Sequence, residues 1–485
     1  MKNILRVLKT ICLVTVLGVA CLSLTSCDEK DSAHTITFYS SMGDKLLGTL
    51  EVAKKKFAEK FPGWQVEVVN PGGGYDGTRS AIVGDLQANS QPDLAYCYAD
   101  HVAQYLVTGK VTNMANYINN SNKLTVNVKE GDEYVSKTYD EIVGYTAEEV
   151  ADFVEGYYKE GFAPNYANYS TYGYSENDIL TVPFQKSTET LYYNAEALIQ
   201  LGYYEEVTNE ATGTTKKVAT PPATWDELWE ICRAAKAKWP NSTPMGYDSE
   251  SNWFITMCEQ NGWGYTSASE PHYLFNNAEA QAWLGELNGY FNEKLFTTQE
   301  IYGAYSSNLF TKGAETGSIL SIGSSGGASY QDPGTKFKWG VAPLPGSVQE
   351  DGTVVRKAIS QGPSLVMFRT ASENAEEKEL MTWEFVKILL DPEFQAKFAG
   401  TTGYMPSRKS SYEVDYYKDA LKDKTNIVVA TVLCAKDMVD YYFTSPAFTG
   451  SSTARTQVGS ALVYAVMGTK SPQAALADAA KKCGA

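Results

Sequence analysis

His34-Thr35-Ile36-Thr37-Phe38-Tyr39 alternates polar and apolar side chains, and the elements that follow it decide the fold. The alternation has the period of a half-buried strand. Leu46, Leu50, Ala53 and Phe57 then recur at helical spacing, and Pro62-Gly63 stops that helix. Residues 64–69 read as a second strand, 71–77 as a glycine-rich turn and 78–88 as a second helix. Pro92 precedes a third strand over residues 93–98. This β-α-β-α-β order predicts a mostly parallel sheet with helices on both faces.

The pattern dissolves over residues 119–178, which read as an irregular, Tyr-rich insertion with one helix near 147–158. Order returns at residues 179–193. Thr224-Trp225-Asp226-Glu227 is a capping box for a helix whose Leu228, Ile231 and Ala235 share a face. Further helices are expected near 278–291, 378–390 and 392–398. A last one follows Ser471, with Pro472 at its first position. No internal repeat is visible, and two α/β lobes account for the length.

The N-terminus carries Lys2, Arg6 and Lys9 ahead of an apolar run over residues 11–22, too short to span a bilayer comfortably. Leu24-Thr25-Ser26-Cys27 then resembles a bacterial lipobox. Residues 1–26 are expected to be a lipoprotein signal peptide and residues 27–32 a tether. Diacylglycerol on Cys27 would hold the protein at the outer face of the plasma membrane, since more than one acyl chain gives stable anchoring.

Charge and cysteine usage narrow the function. The 485 residues carry 57 Asp+Glu against 41 Lys+Arg, and this net negative charge disfavours nucleic acid and anionic headgroups. Beyond Cys27 lie Cys97, Cys232, Cys258, Cys434 and Cys483, widely spaced and without a CxxC, which indicates neither a disulfide framework nor a zinc cage. One disulfide stays open as to its pair. Three histidines leave little material for metal or acid–base chemistry. Thirty-three tyrosines suit polyol or sugar ligands, each offering a flat apolar face with a hydroxyl at its edge.

Two motifs suggest other activities. Gly72-Gly73-Gly74-Tyr75-Asp76-Gly77 fits GxGxxG between a strand and a helix, but an exported chain has no access to NAD. The glycines are better read as allowing close backbone approach to a small ligand. Gly323-Ser324-Ser325-Gly326-Gly327 fits GxSxG, yet no histidine follows it, so a hydrolase is a remote alternative. The same loop can act as an anion cradle.

Six short segments, in order, resemble the carbohydrate family of ABC-importer solute-binding proteins, family 1. They are Val182-Pro183-Phe184-Gln185-Lys186-Ser187-Thr188, Pro222-Ala223-Thr224-Trp225-Asp226-Glu227-Leu228, Phe310-Thr311-Lys312-Gly313, Gly340-Val341-Ala342-Pro343-Leu344-Pro345, Trp383-Glu384-Phe385-Val386-Lys387 and Thr402-Gly403-Tyr404-Met405-Pro406. The likeness is greatest to the glycerol-3-phosphate-binding branch, through Phe38-Tyr39-Ser40-Ser41-Met42, the Ser324-Ser325-Gly326 loop, Tyr404 and Arg455. It implies a two-lobed periplasmic-binding-protein-like fold with a hinge, each lobe a mostly parallel sheet flanked by helices. The expected division is 33–181 plus 342–370 for the first lobe and 182–341 plus 371–485 for the second.

The resemblance also implies the site. Ser324 or Ser325, Gly362, Tyr404 and Arg455 fall where the branch holds phosphate. Tyr75 and Ser187 fall on the polyol side, and Trp253 lies where the family supplies a stacking face. The branch's carboxylate aligns with Ala99, so either Asp100 substitutes or the polyol half of the ligand differs. The implied partners are a small polyol phosphate or a neutral sugar, the permease subunits and the membrane through Cys27. No cofactor, metal or catalysis is implied, and a monomer is expected. The Gly450-Ser451-Ser452-Thr453 segment before Arg455 reads as a loop.

Overall fold

The computed structural model describes residues 31–41, 44–370, 372 and 374–485; the expectation for Cys27 lies outside the described residues. Strands Thr35–Tyr39, Gln65–Val69 and Leu94–Cys97 pair in parallel, with helices Asp44–Lys60 and Gly74–Ala88 between them. Strand Ser364–Met367 joins antiparallel to Leu94–Cys97, and Val182–Pro183 completes the five-stranded first sheet. The second sheet also has five strands. Phe296–Thr298, Met245–Tyr247 and Leu320–Ser324 run parallel, while Glu189–Asn194 lies antiparallel between Leu320–Ser324 and Trp339–Ala342. Each sheet therefore has one reversed strand, formed just after the chain has crossed from the other lobe.

Apolar residues bury on both faces of the first sheet. Ile36, Phe38, Leu50, Phe57 and Tyr96 meet Trp383, Phe385 and Phe398 on one side. Ile82, Leu86, Val102 and Leu180 meet Val366 on the other. The lobe division differs from the expected one here. Helices Ala375–Leu389 and Pro392–Thr402 belong to the first lobe, because Phe385 packs edge-on to Phe57 at 5.5 Å and Trp383 donates its indole N–H to Val143 O at 2.8 Å. Conversely Leu344, Ala358 and Ile359 pack into the second-lobe core. The helices Ser451–Val466 and Pro472–Cys483 also cover that core, through Val458, Leu462 and Leu476.

Residues 119–178 are more ordered than expected. They open with an antiparallel hairpin, Lys123–Glu130 with Glu133–Ile142, turned at Gly131 with φ +65°. Leu124, Val126 and Val128 alternate inward, and Asn127 O accepts the Trp64 indole N–H at 2.8 Å. Two short helices, Ala147–Ala151 and Glu155–Lys159, replace the single expected one. Thr224 caps its helix as expected, accepting from Glu227 N at 3.3 Å, but the Glu227 carboxylate reaches back to Ala223 N instead of Thr224 N. Ser471 caps Pro472–Cys483 by accepting from Ala474 N at 3.2 Å. No helix among the described residues is long and apolar enough to cross a membrane.

Candidate functional site

Two of the three crossovers meet at Ser187 and Gln361, whose backbones pair reciprocally at 2.8 Å in each direction. Above this junction lies a cavity of about 770 Å³ between the lobes. Tyr75, Ser187, Ser324, Tyr404 and Arg455, all predicted from sequence, line it together.

Local geometry explains why glycines surround these side chains. Gly72, Gly73 and Gly74 adopt positive φ before helix Gly74–Ala88, and a Cβ on Gly77 would lie 1.9 Å from Gly72 O. The turn thus places Tyr75 at the helix start, where it stacks on Tyr98 at 4.3 Å. Burial, with Tyr404 nearby, pushes the Tyr75 phenol well above its usual pKa. Tyr404 lies flat on Gly326, where a Cβ would come within 2.5 Å of its ring. Gly403 has φ +94°, and a Cβ there would sit 2.2 Å from Ser325 O. Gly326 and Gly403 are therefore packing requirements of the tyrosine turn.

The two serines separate. Ser324 lines the cavity and accepts from Gly326 N at 3.2 Å. Ser325 is fully buried, with its hydroxyl accepting Thr188 N–H at 3.2 Å and its own N–H reaching Thr188 O at 2.7 Å. Asp100 and Gly362 line a smaller adjoining cavity of about 60 Å³, which Arg455 also borders. Trp253 does not face the cleft. Its ring is buried in the second-lobe core, stacked on Tyr247 at 4.8 Å, because the helix Glu250–Asn261 turns the neighbouring Asn252 toward the cavity instead.

Arg455 lies on the helix Ser451–Val466, not in a loop, and donates Nη2 to Asn252 Oδ1. Asn252 Nδ2 donates to Glu189 Oε1 and Gln361 Oε1, both at 2.9 Å, and Tyr247 Oη donates to Glu189 Oε2 at 2.6 Å. Burial pushes the Glu189 carboxyl up to about 7, against the lowering by Tyr247, Asn252 and Arg455. Asp248 is pushed up to about 6 by burial while accepting Ser306 N–H at 2.5 Å. Among the described residues Arg455 makes no ion pair, whereas the buried Lys186 on the crossover is paired with Glu160. Glu189, Asp248, Asn252 and Gln361 escaped the sequence reading. An acid between Thr188 and Thr190 in an otherwise buried strand was the available signal for Glu189.

Two mixed sheets, linked by crossovers and separated by a polar cleft, define a two-lobed ligand receptor. A family model described as a bacterial extracellular solute-binding protein matches residues 53–426. The chain belongs to that family and is a solute-binding receptor. The sn-glycerol-3-phosphate-binding periplasmic protein UgpB of Salmonella typhimurium is 24% identical over 419 residues, covering 82% of this chain and 80% of the relative. UgpB of Escherichia coli is 22% identical over 416 residues, covering 81% and 78%. Among solved structures, UgpB from Mycobacterium tuberculosis in complex with glycerophosphocholine superposes with a TM-score of 0.68 at 16% identity, covering 93% of this chain and 97% of that one. Maltose-bound T. maritima MalE3 gives 0.67 at 17% identity, covering 93% and 99%. These likenesses establish the two-domain fold.

Proposed function

We propose that the protein is the lipid-anchored receptor of an ABC importer, taking up glycerol-3-phosphate or a glycerophosphodiester and delivering it to membrane permease subunits. The observation that carries the ligand class is Arg455, which borders the cleft, is held by a neutral amide oxygen and has no carboxylate partner among the described residues. Arg455 is partly exposed and feels the Glu189 carboxyl only across the intervening Asn252, so its planar fork stays open to a phosphate, which it can grip with two charge-assisted hydrogen bonds. Ser324 and Tyr404 add hydroxyls to the same cavity, and Tyr75 and Ser187, which also line it, would take the polyol part of the ligand. Cys27 carries the lipid and places the receptor outside the plasma membrane.

A neutral mono- or oligosaccharide is the second reading. It is favoured by Asp248, Glu250, Gln299 and Asn308 in the cavity wall, since carboxylates and amides accept from sugar hydroxyls and the two acids oppose an anion. Calorimetry with glycerol-3-phosphate, glycerophosphocholine, maltose and glucose separates the two. The phosphate reading expects heat only from the first two, and tight binding of a neutral sugar alone would refute it.

A further inference from the structure

A second cavity, of about 350 Å³, lies on the other side of helix Glu250–Asn261 from the cleft. Asn252 lines the cleft, whereas Trp253 and Met257 line this groove, and the two cavities share no lining residue. Its walls are aromatic. Trp225 and Trp229 come from the helix Trp225–Lys238, and Trp283 and Tyr290 from the helix Ala278–Asn292, with Trp263 between. Trp229 and Tyr290 stack at 4.2 Å, and Trp253 meets Trp283 edge-on at 5.9 Å. Five of the nine tryptophans in the chain border this one opening; Trp225, Trp229, Trp253 and Trp283 form its buried floor, and Trp263 and Tyr290 are its more exposed rings.

The rim is acidic. Asp226, Glu279 and Glu286 line the groove, are exposed, and have no Lys or Arg partner among the described residues. The nearby Arg233 does not neutralise them. It forks onto Glu293 at 2.8 and 3.0 Å, and its guanidinium sits 5.3 Å from the centre of the Tyr290 ring. That contact shows the chemistry available at this edge, a cation held by a ring face beside a carboxylate. The groove itself offers the same two elements, rings and carboxylates.

We propose that this groove is a second binding site, for an organic cation with apolar substituents, such as a quaternary or alkylated ammonium group. Ring quadrupoles attract such a cation, and its weak hydration makes entry among indoles inexpensive. The three carboxylates add long-range attraction and repel anions, so the groove cannot duplicate the anion chemistry of Arg455. The rings supply no ligands for an inorganic cation. The site is independent of what the cleft binds.

Tryptophan fluorescence reads the site directly. Titration of the whole protein with tetramethylammonium and with choline, at constant ionic strength, should give a saturable change. The uncharged carbon analogue of choline should bind at least about tenfold more weakly, because it keeps the apolar contact and loses the cation–π attraction. The combined substitution Asp226→Asn and Glu286→Gln alters only exposed side chains and should weaken choline at least about fivefold. Arg455→Ala should leave the titration unchanged. Equal binding of the neutral analogue, indifference to the two amide substitutions, loss of the signal in Arg455→Ala or no response at all would each overturn the proposal.

Discussion

Ser187 and Gln361 each donate a backbone N–H to the other's carbonyl at 2.8 Å, and this reciprocal pair fastens two of the three crossovers together where they pass between the sheets. Both residues also line the cleft, and the Gln361 side chain bonds to Asn252, the residue that holds Arg455. Junction and ligand wall are thus built from the same residues. A change in lobe angle at these two crossovers therefore bears directly on the cleft wall.

Gly362 makes the junction possible. It has φ +97°, and a Cβ there would stand 2.3 Å from Gln185 O and 2.7 Å from Lys186 Cα. Gly362→Ala should destabilise the protein by about 2–4 kcal/mol, through left-handed strain and backbone collision together. Denaturant unfolding measures this, and an unchanged midpoint would show that the crossovers can separate freely.

Arg455→Ala should weaken a phosphate-bearing ligand by about 2–5 kcal/mol, since it removes a charge-assisted fork from the cleft. Arg455→Lys should recover only part, for want of the planar geometry. Tyr404→Phe should cost about 1–3 kcal/mol. Calorimetry of the three variants checks the order, and full affinity in Arg455→Ala would remove the arginine from the site.

Gly326→Val tests the tyrosine turn. A Cβ at Gly326 already reaches within 2.5 Å of the Tyr404 ring, so valine should displace the ring and weaken ligand binding by about 1–3 kcal/mol. Retained affinity, measured on a folded variant, would mean that Tyr404 does not touch the ligand.

The Glu189 carboxyl sets a pH dependence. Burial raises it from 4.5 to about 7, so the folded state holds the proton more tightly than the unfolded chain. Its contribution is full below the unfolded value and is lost as pH rises from 4.5 through 7, by about 3 kcal/mol in all. Asp248, raised to about 6, adds a loss of the same sign. Unfolding free energies across this range should slope downward, and Glu189→Gln should flatten the slope. An equal slope in that variant would assign the dependence to other groups.

Cys27 carries the last prediction. Mass spectrometry of the mature N-terminal peptide should find a lipid-modified cysteine, and Cys27→Ser should abolish both modification and cleavage before that residue. An unmodified cysteine there would remove the membrane anchor from the proposal.

Local chemistry made much of this fold legible. Alternation at 34–39 and helical spacing at Leu50, Ala53 and Phe57 gave the first β-α-β unit, and Ser471-Pro472 marked the last helix. What escaped depends on contacts distant in sequence. Trp383 and Phe385 lie far from Phe57 along the chain, so nothing local assigned their helix to the first lobe. The hairpin 123–142 was masked by polar residues on its outer face, though Leu124, Val126 and Val128 alternate. At the site, resemblance brought five residues to one cavity, but a helix presents consecutive residues to different surroundings. One step along the turn separates Asn252 in the cleft from Trp253 behind it.

The helix bearing Arg455 is translated after every other residue of the cleft wall. Tyr75, Ser187 and Ser324 are synthesised well before it, yet the second lobe is without Ala454, Val458, Ala461 and Leu462 until that helix docks. One docking event therefore closes the apolar core and delivers the positive charge to the cleft. A chain clipped before this helix lacks both at once, so truncation cannot separate the loss of the core segment from the loss of the cleft's guanidinium.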